Sequence, residues 1–213
     1  TYTVLGATGN CGTALIRLLL SEPHARIHAF CRNKSKLLQL VSDVQYNKKF
    51  EIFEAGIYDN HVLVFCINKC GAVFLVILTN DNIPGCRLGQ DTAIAVIDAL
   101  QTLKQSPKEL LHAQEDWLAA LYFKPGALVL DEQRGHSLSF TDKGSPLSYP
   151  DLAAAMLEVA DDHTGLYERR NVSVANTNGR ARFPRGTPSC IFMGLLRHFF
   201  PYLHPYLPAT GPS

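Results

Sequence analysis

The sequence has 213 residues, of which 46% are hydrophobic and 18% charged, with a formal net charge of +1. Those totals suit a well-buried globular chain and exclude disordered or fibrous material. So small a net charge gives no global field to attract nucleic acid or an anionic membrane. No apolar run reaches the roughly 18–20 residues needed to span a bilayer, so neither partner is expected.

In chain order, Tyr2–Leu5 reads as a short apolar strand, followed at once by Gly6-Ala7-Thr8-Gly9-Asn10-Cys11-Gly12. No basic stretch or cleavable apolar segment precedes that strand, which predicts no secretory signal and a cytoplasmic location. Residues 13–20 read as a helix with Ala14, Leu15, Leu18 and Leu19 on its apolar face. Ile27–Cys31 is a second strand, ending at Arg32-Asn33-Lys34, and residues 50–55 are a third. Residues 73–79 form a fourth, an almost unbroken run of Val, Phe, Leu and Ile that suits a parallel strand buried on both faces. Residues 89–103 read as a helix. The alternation predicts an α/β fold, a Rossmann-type doubly wound parallel sheet with a small C-terminal substrate-side region.

The pattern then breaks. A doubly wound sheet would return to a fifth strand, but Gln105-Ser106-Pro107 leads straight into another helical stretch, 108–118. Residues 60–70 are also short for a crossover helix. The spacing predicts that residues are missing near 60–70, near 105–107, or at both. Beyond, 120–130 reads as a strand entering a Pro-Gly turn, 136–140 as a short strand, Tyr149–Ala160 as an amphipathic helix and 170–175 as a last strand. The tail carries no acidic residue after Glu168 but is mainly apolar and aromatic from Ile191 on. It is expected to be buried, as an arm over the substrate pocket or a neighbouring subunit, which leaves a homodimer open. The six cysteines have neither a CxxC pair nor zinc-finger spacing with histidine, so they read as buried reduced thiols, and no metal site is expected.

Glycines at positions 6, 9 and 12 between a strand and a helix answer three physical demands. Gly6 allows the tight turn, Gly9 the approach of a pyrophosphate to the backbone, and Gly12 the contact of helix with strand. Backbone N–H groups at the helix start, including those from Thr8 to Gly12, then face the phosphates. The end of the second strand selects the dinucleotide. An NAD site wants Asp or Glu there for the ribose 2′-hydroxyl. This sequence instead offers Arg32, Asn33 and, a turn later, Lys36, which suit the 2′-phosphate of NADP(H). Gly56 and Ile57 after the third strand are placed by the adenine, and Thr79 and Asn80 after the fourth by the ribose or nicotinamide. The chain thus reads as one NAD(P)-binding domain, with about 1–105 as the cofactor half and about 106–213 as the substrate side and C-terminal arm.

Four residues are candidates for chemistry. Lys124 precedes Pro125-Gly126 at a strand end and suits the nicotinamide ribose or a substrate phenolate. His112 and Glu115 lie about one helical turn apart and suit acid–base work, and His136 follows Arg134-Gly135 on a strand, in reach of a substrate oxygen. Trp117 reads as core. Asp151 reads as a first-turn carboxylate stabilising its own helix.

LGATGNCG, FCRNKSKL and VFLVILTNDNIPGCRLGQDTA resemble the NmrA-like, atypical short-chain dehydrogenases. LLHAQEDWL, FKPGALVLDEQRGH, SYPDLAAAMLEVADD and FPRGTPSCIFMGLLRHFFPYLHPYLP resemble fungal oxidoreductases of anthraquinone and xanthone polyketide pathways, the averufin-oxidase and versicolorin-pathway group. The resemblance implies an enzyme that tailors a small aromatic polyketide with NADP(H), and a longer stretch, carrying a fifth strand, between Gln105 and Pro107. Standard short-chain dehydrogenases use Tyr-x-x-x-Lys, and here Tyr46, Tyr58, Tyr122, Tyr149 and Tyr167 all lack a lysine four residues on. That departure leaves open a redox-neutral isomerase, dehydratase or ring-opening enzyme on the same substrates, or a non-catalytic dinucleotide sensor.

Overall fold

The computed structural model describes residues 1–44, 47–77, 85–104, 120–141, 146–179 and 187–208. The first half alternates as expected: β1 (Tyr2–Leu5), α1 (Asn10–Ser21), β2 (Ile27–Cys31), α2 (Lys34–Leu40), β3 (Phe50–Glu54), α3 (Asn60–Ile67), β4 (Ala72–Leu75) and α4 (Leu88–Lys104). The four strands make one parallel sheet in the order β3-β2-β1-β4. Crossover helices let each returning strand add in parallel beside one already laid down: β2 and then β3 extend one side of β1, and β4 pairs on its other side.

One core cluster sits on the α1 side of this sheet. Leu15, Ile16 and Leu19 recur at helical spacing and pack with Val4, Ala29 and Phe74, all buried. A second cluster joins Leu5 and Phe30 to Leu63, Cys66 and Ile67 of α3 and to Val96 and Ala99 of α4. Side chains alternate across a strand, so neighbours such as Val4 and Leu5 serve opposite faces.

The second half comprises β5 (Tyr122–Pro125), β6 (Leu128–Val129), β7 (His136–Ser139), β8 (Leu147–Ser148), α5 (Tyr149–Ala160), β9 (Asn171–Asn176) and α6 (Thr187–Phe199). Its strands form a three-stranded sheet, β5-β9-β7, and a two-stranded pair, β6-β8. The first core cluster spans both halves, because Leu147, Leu152, Ala153, Met156 and Val174 join the residues of α1 and β1 within it. Among the described residues, no helix is long and apolar enough to cross a membrane.

Several boundaries differ from expectation, each for a physical reason. Helix α1 starts at Asn10 rather than Thr13, because Gly9, an unobvious cap with no side chain to signal it, occupies the N-cap. Helix α2 has no counterpart among the expected elements; with seven residues and only Leu37 buried, it has too little periodicity to read. Residues 120–130 hold two strands, not one, because the Pro125-Gly126 corner separates β5, paired with β9, from β6, paired with β8. The fourth strand is described over Ala72–Leu75 and is largely half-buried rather than covered on both faces.

In the single chain much of the tail's apolar surface is open. Ile191, Phe192, Leu195, Phe199, Tyr202 and Tyr206 are exposed, whereas Arg197 is buried and donates from its guanidinium to the Pro208 carbonyl. The described cysteines are reduced, but Cys86 is exposed, and Cys11 and Cys70 are only half-buried. The expected strand end at Thr79 and Asn80, the 108–118 helix with His112, Glu115 and Trp117, and Tyr46 lie outside the described residues.

Candidate functional site

The turn between β1 and α1 is built almost entirely from backbone. Gly6 and Ala7 both donate their N–H groups to the Phe30 carbonyl, at 3.2 Å each, which ties the turn to the end of β2. Gly6 has φ +93°, a left-handed value that favours glycine, and a Cβ added there would lie 2.8 Å from the Val76 carbonyl oxygen. At Gly12 an added Cβ would lie 2.3 Å from the Gly6 oxygen and 2.9 Å from Ala7 Cα. Helix and turn therefore touch backbone to backbone.

Gly9 differs from both. It is exposed, and its added Cβ meets only the Gly6 oxygen, at 3.4 Å. A side chain there would fill the space in front of the first turn of α1. The first turn has no acidic residue and no side-chain cap, while the first N–H groups of any helix lack intrahelical acceptors. The fit to a phosphate is thus a cradle of backbone donors kept open by a missing side chain. Thr13 steadies it, donating from Oγ1 to the Gly9 and Asn10 carbonyls at 3.0 and 3.1 Å. The Cys11 thiol packs against Met156 Sδ at 3.9 Å, and burial pushes it up to about 12, so it is neutral. Asn10 and Cys11 therefore offer a ligand backbone N–H groups at the start of α1, while Thr8 is half-buried in the turn itself.

At the end of β2, Arg32 and Lys36 are exposed. Asn33 is committed: its Oδ1 accepts the Lys36 N–H at 2.8 Å and caps α2. Sequence reasoning missed Glu54. It ends β3, in register with Cys31 at the end of β2, and its Oε1 accepts the Lys34 N–H at 2.8 Å. The signal lay in adjacency, because a β3-β2-β1 order puts the last residue of the third strand beside the last residue of the second. Gly56 is exposed with open space around it, whereas Ile57 is buried in the core on the α3 side. Beyond them Tyr58 donates to Asp91 Oδ2 at 3.1 Å, bridging the β3–α3 loop to α4.

The candidates for chemistry in the second half lie on β5 and β7. Lys124 is exposed on β5. His136 Nε2 lies 2.6 Å from Glu158 Oε2 of α5, so the imidazole already has a carboxylate partner. Asp151 does more than favour its own helix. It is fully buried, its two oxygens each accept the Arg134 N–H at 3.0 Å, and Ser148 Oγ donates to it at 2.6 Å. Ser148 in turn caps α5 by accepting the Asp151 N–H at 3.1 Å. This buried carboxylate fixes the segment leading into His136. Among the described residues no cluster of His, Cys, Asp or Glu could hold a metal ion.

Comparisons with known proteins agree with this geometry. Residues 6–106 match a family model described as NAD(P)H-binding. The chain is 51% identical to "Oxidoreductase nsrR" of Aspergillus novofumigatus, over 100% of this chain and 98% of that protein. It is 48% identical to "Oxidoreductase tpcG" of Aspergillus fumigatus, covering 100% and 97%. The first of these matches runs over 260 aligned positions although this chain has 213 residues, so about 47 positions have no counterpart here.

Among solved structures, a short-chain dehydrogenase/reductase of Veillonella parvula in complex with NADP matches with TM-score 0.61 and 16% identity, covering 86% of this chain and 98% of that one. A Rossmann-fold NAD(P)-binding family protein of Shigella flexneri matches with TM-score 0.60 and 15% identity, covering 86% and 96%. At such identities these two likenesses establish the α/β Rossmann-like fold alone. With the glycine turn, the parallel sheet and the end-to-end match to its relatives in hand, the chain belongs to a Rossmann-like NAD(P)-binding oxidoreductase family with fungal members.

Proposed function

We propose that this chain is a cytoplasmic, NADP(H)-dependent oxidoreductase of atypical short-chain type that tailors an aromatic polyketide of the anthraquinone or xanthone class in fungal secondary metabolism. The observation that carries the cofactor choice is the β2 end: Arg32 and Lys36 are exposed beside the open glycine turn, and no carboxylate belongs to β2 itself. The polyketide part rests on the sequence resemblance of the second half.

Bound NADP(H) would supply hydride transfer at the nicotinamide ring. The chain's own part is to hold and orient the dinucleotide. The N–H groups of the Gly6–Gly12 turn take the diphosphate, and Arg32 and Lys36 take the 2′-phosphate. Asp151 and Ser148 hold the backbone that presents His136. Proton transfer falls to Lys124, His136, His112 or Glu115, since no Tyr-x-x-x-Lys is present. That lack favours a second reading, in which the nucleotide is bound without net redox turnover.

Turnover separates the readings. Purified protein is mixed with NADPH and a panel of anthraquinones and xanthones, and the near-ultraviolet absorbance of the reduced nicotinamide is followed. Substrate-dependent loss is the expected result. Product formation with no cofactor consumed would replace the proposal with a redox-neutral enzyme, and nucleotide binding with no chemistry would replace it with a sensor. Arg32→Ala is expected to weaken NADPH binding by about tenfold, a loss of about 1.4 kcal/mol.

A further inference from the structure

The end of β3 carries a carboxylate that the nucleotide-binding reading leaves without a role. Glu54 is exposed, yet it is not free to swing in solvent, because its Oε1 holds the Lys34 N–H at 2.8 Å. It also stands level with Cys31 at the end of β2. Glu54 and Lys34 act with opposite signs on the Cys31 thiol, so both charges lie within electrostatic reach of that strand end. Arg32, Lys34 and Lys36 are cations of this turn, and Glu54 is an anion set against them.

In a dinucleotide gripped at the Gly6–Gly12 turn, the adenosine ribose meets the end of β2. A 2′-phosphate there is drawn by Arg32 and Lys36 and repelled by Glu54. A 2′-hydroxyl instead needs an acceptor, and a carboxylate with one oxygen on Lys34 still has lone pairs to offer. We propose that Glu54 is a specificity-determining residue: it restrains binding of the 2′-phosphorylated dinucleotide and supports the unphosphorylated one, so that preference for NADPH is narrow and NADH also binds. The inference rests on the nucleotide site proposed above and adds a carboxylate from a different strand to it.

The test titrates NADPH and NADH separately into the full chain, Glu54→Gln and Arg32→Ala. Glutamine keeps an acceptor for the Lys34 N–H and removes the charge. Glu54→Gln is expected to bind NADPH about three- to tenfold more tightly and NADH no more tightly, with the gain shrinking as salt rises. Glu54→Ser, which removes the charge with a smaller side chain, is expected to move the NADPH-to-NADH ratio the same way. An unmoved ratio in both variants, or equal weakening of both nucleotides, overturns the proposal. If Arg32→Ala weakens NADPH while the Glu54 variants leave the ratio unmoved, this proposal alone fails. If the unaltered chain binds neither nucleotide, the parent reading fails and takes this one with it.

Discussion

The two halves of the molecule order their strands and helices differently: the first alternates strand with helix, whereas the second runs four described strands before its first described helix. Residues 2–75 lay four strands into one parallel sheet, each strand in register with a neighbour added by a short crossover. Among the described residues of 122–176, five strands divide between a mixed three-stranded sheet and a two-stranded pair. In the first half the glycine turn packs backbone against backbone; in the second a buried carboxylate, Asp151, ties the Arg134 backbone to a helix start. The contrast teaches that a glycine turn written into consecutive residues keeps its geometry in a chain about 47 positions shorter than its alignment with a relative.

Three substitutions, two in the first half and one in the second, set the halves against each other. Gly12→Ala forces a Cβ into the Gly6 carbonyl and Ala7, neither of which is a side chain that can turn aside. The expected loss is about 3–4 kcal/mol in denaturant unfolding, with nucleotide binding abolished. Gly56→Ala, in open space, is expected to stay within about 0.5 kcal/mol of the parent. Asp151→Ala strips acceptors from the Arg134 N–H and the Ser148 hydroxyl and should cost about 2–3 kcal/mol. Its nucleotide affinity is expected to stay within about twofold once folded, because the groups Asp151 holds, the Arg134 N–H and the Ser148 hydroxyl, lie outside the Gly6–Gly12 turn. A parallel loss of nucleotide binding would show that the grip depends on the second half.

How much of this is legible in the sequence follows the same division. The glycine spacing and the apolar face of α1 are local features, so consecutive residues alone reveal the turn. Helix α2 is too short to show a period. Residues 120–130 look continuous because nothing local reveals that Leu128 and Phe123 pair with different strands. Glu54 escapes a linear reading because its relevance depends on strand order, a long-range property. Asp151 reads locally as a helix-terminus carboxylate, and its grip on Arg134, 17 residues away, is invisible at that range.

A smaller effect concerns alkaline pH. Burial holds the Cys11 thiol up at about 12, from a usual 9.0, and the hydrogen bond to Asp161 holds Tyr2 at about 12, from 10.0. Both groups are kept neutral by folding, so their contribution is complete below the unfolded values. It is lost as pH rises from about 9 toward 12. Melting temperature is therefore expected to hold level up to about pH 9 and then to fall, with Cys11→Ala flattening the first part of the decline. A decline that begins well below that pH, or one unchanged in Cys11→Ala, would count against this assignment.

The smallest effect is chemical rather than energetic. Among the five cysteines with described side chains, Cys86 is exposed, and Cys31 and Cys66 are buried with their thiols pushed up. Alkylation at neutral pH is expected to modify Cys86 first and to leave nucleotide affinity within about twofold. Faster labelling of Cys66 would show that the α3 side opens readily.

Calorimetric titration of NADPH into the 213-residue chain, beside Arg32→Ala, tests the central claim most directly. Saturable binding at one site, weakened about tenfold by loss of the guanidinium, is the predicted result. A flat titration of the unaltered protein, with either the reduced or the oxidised nucleotide, would contradict it.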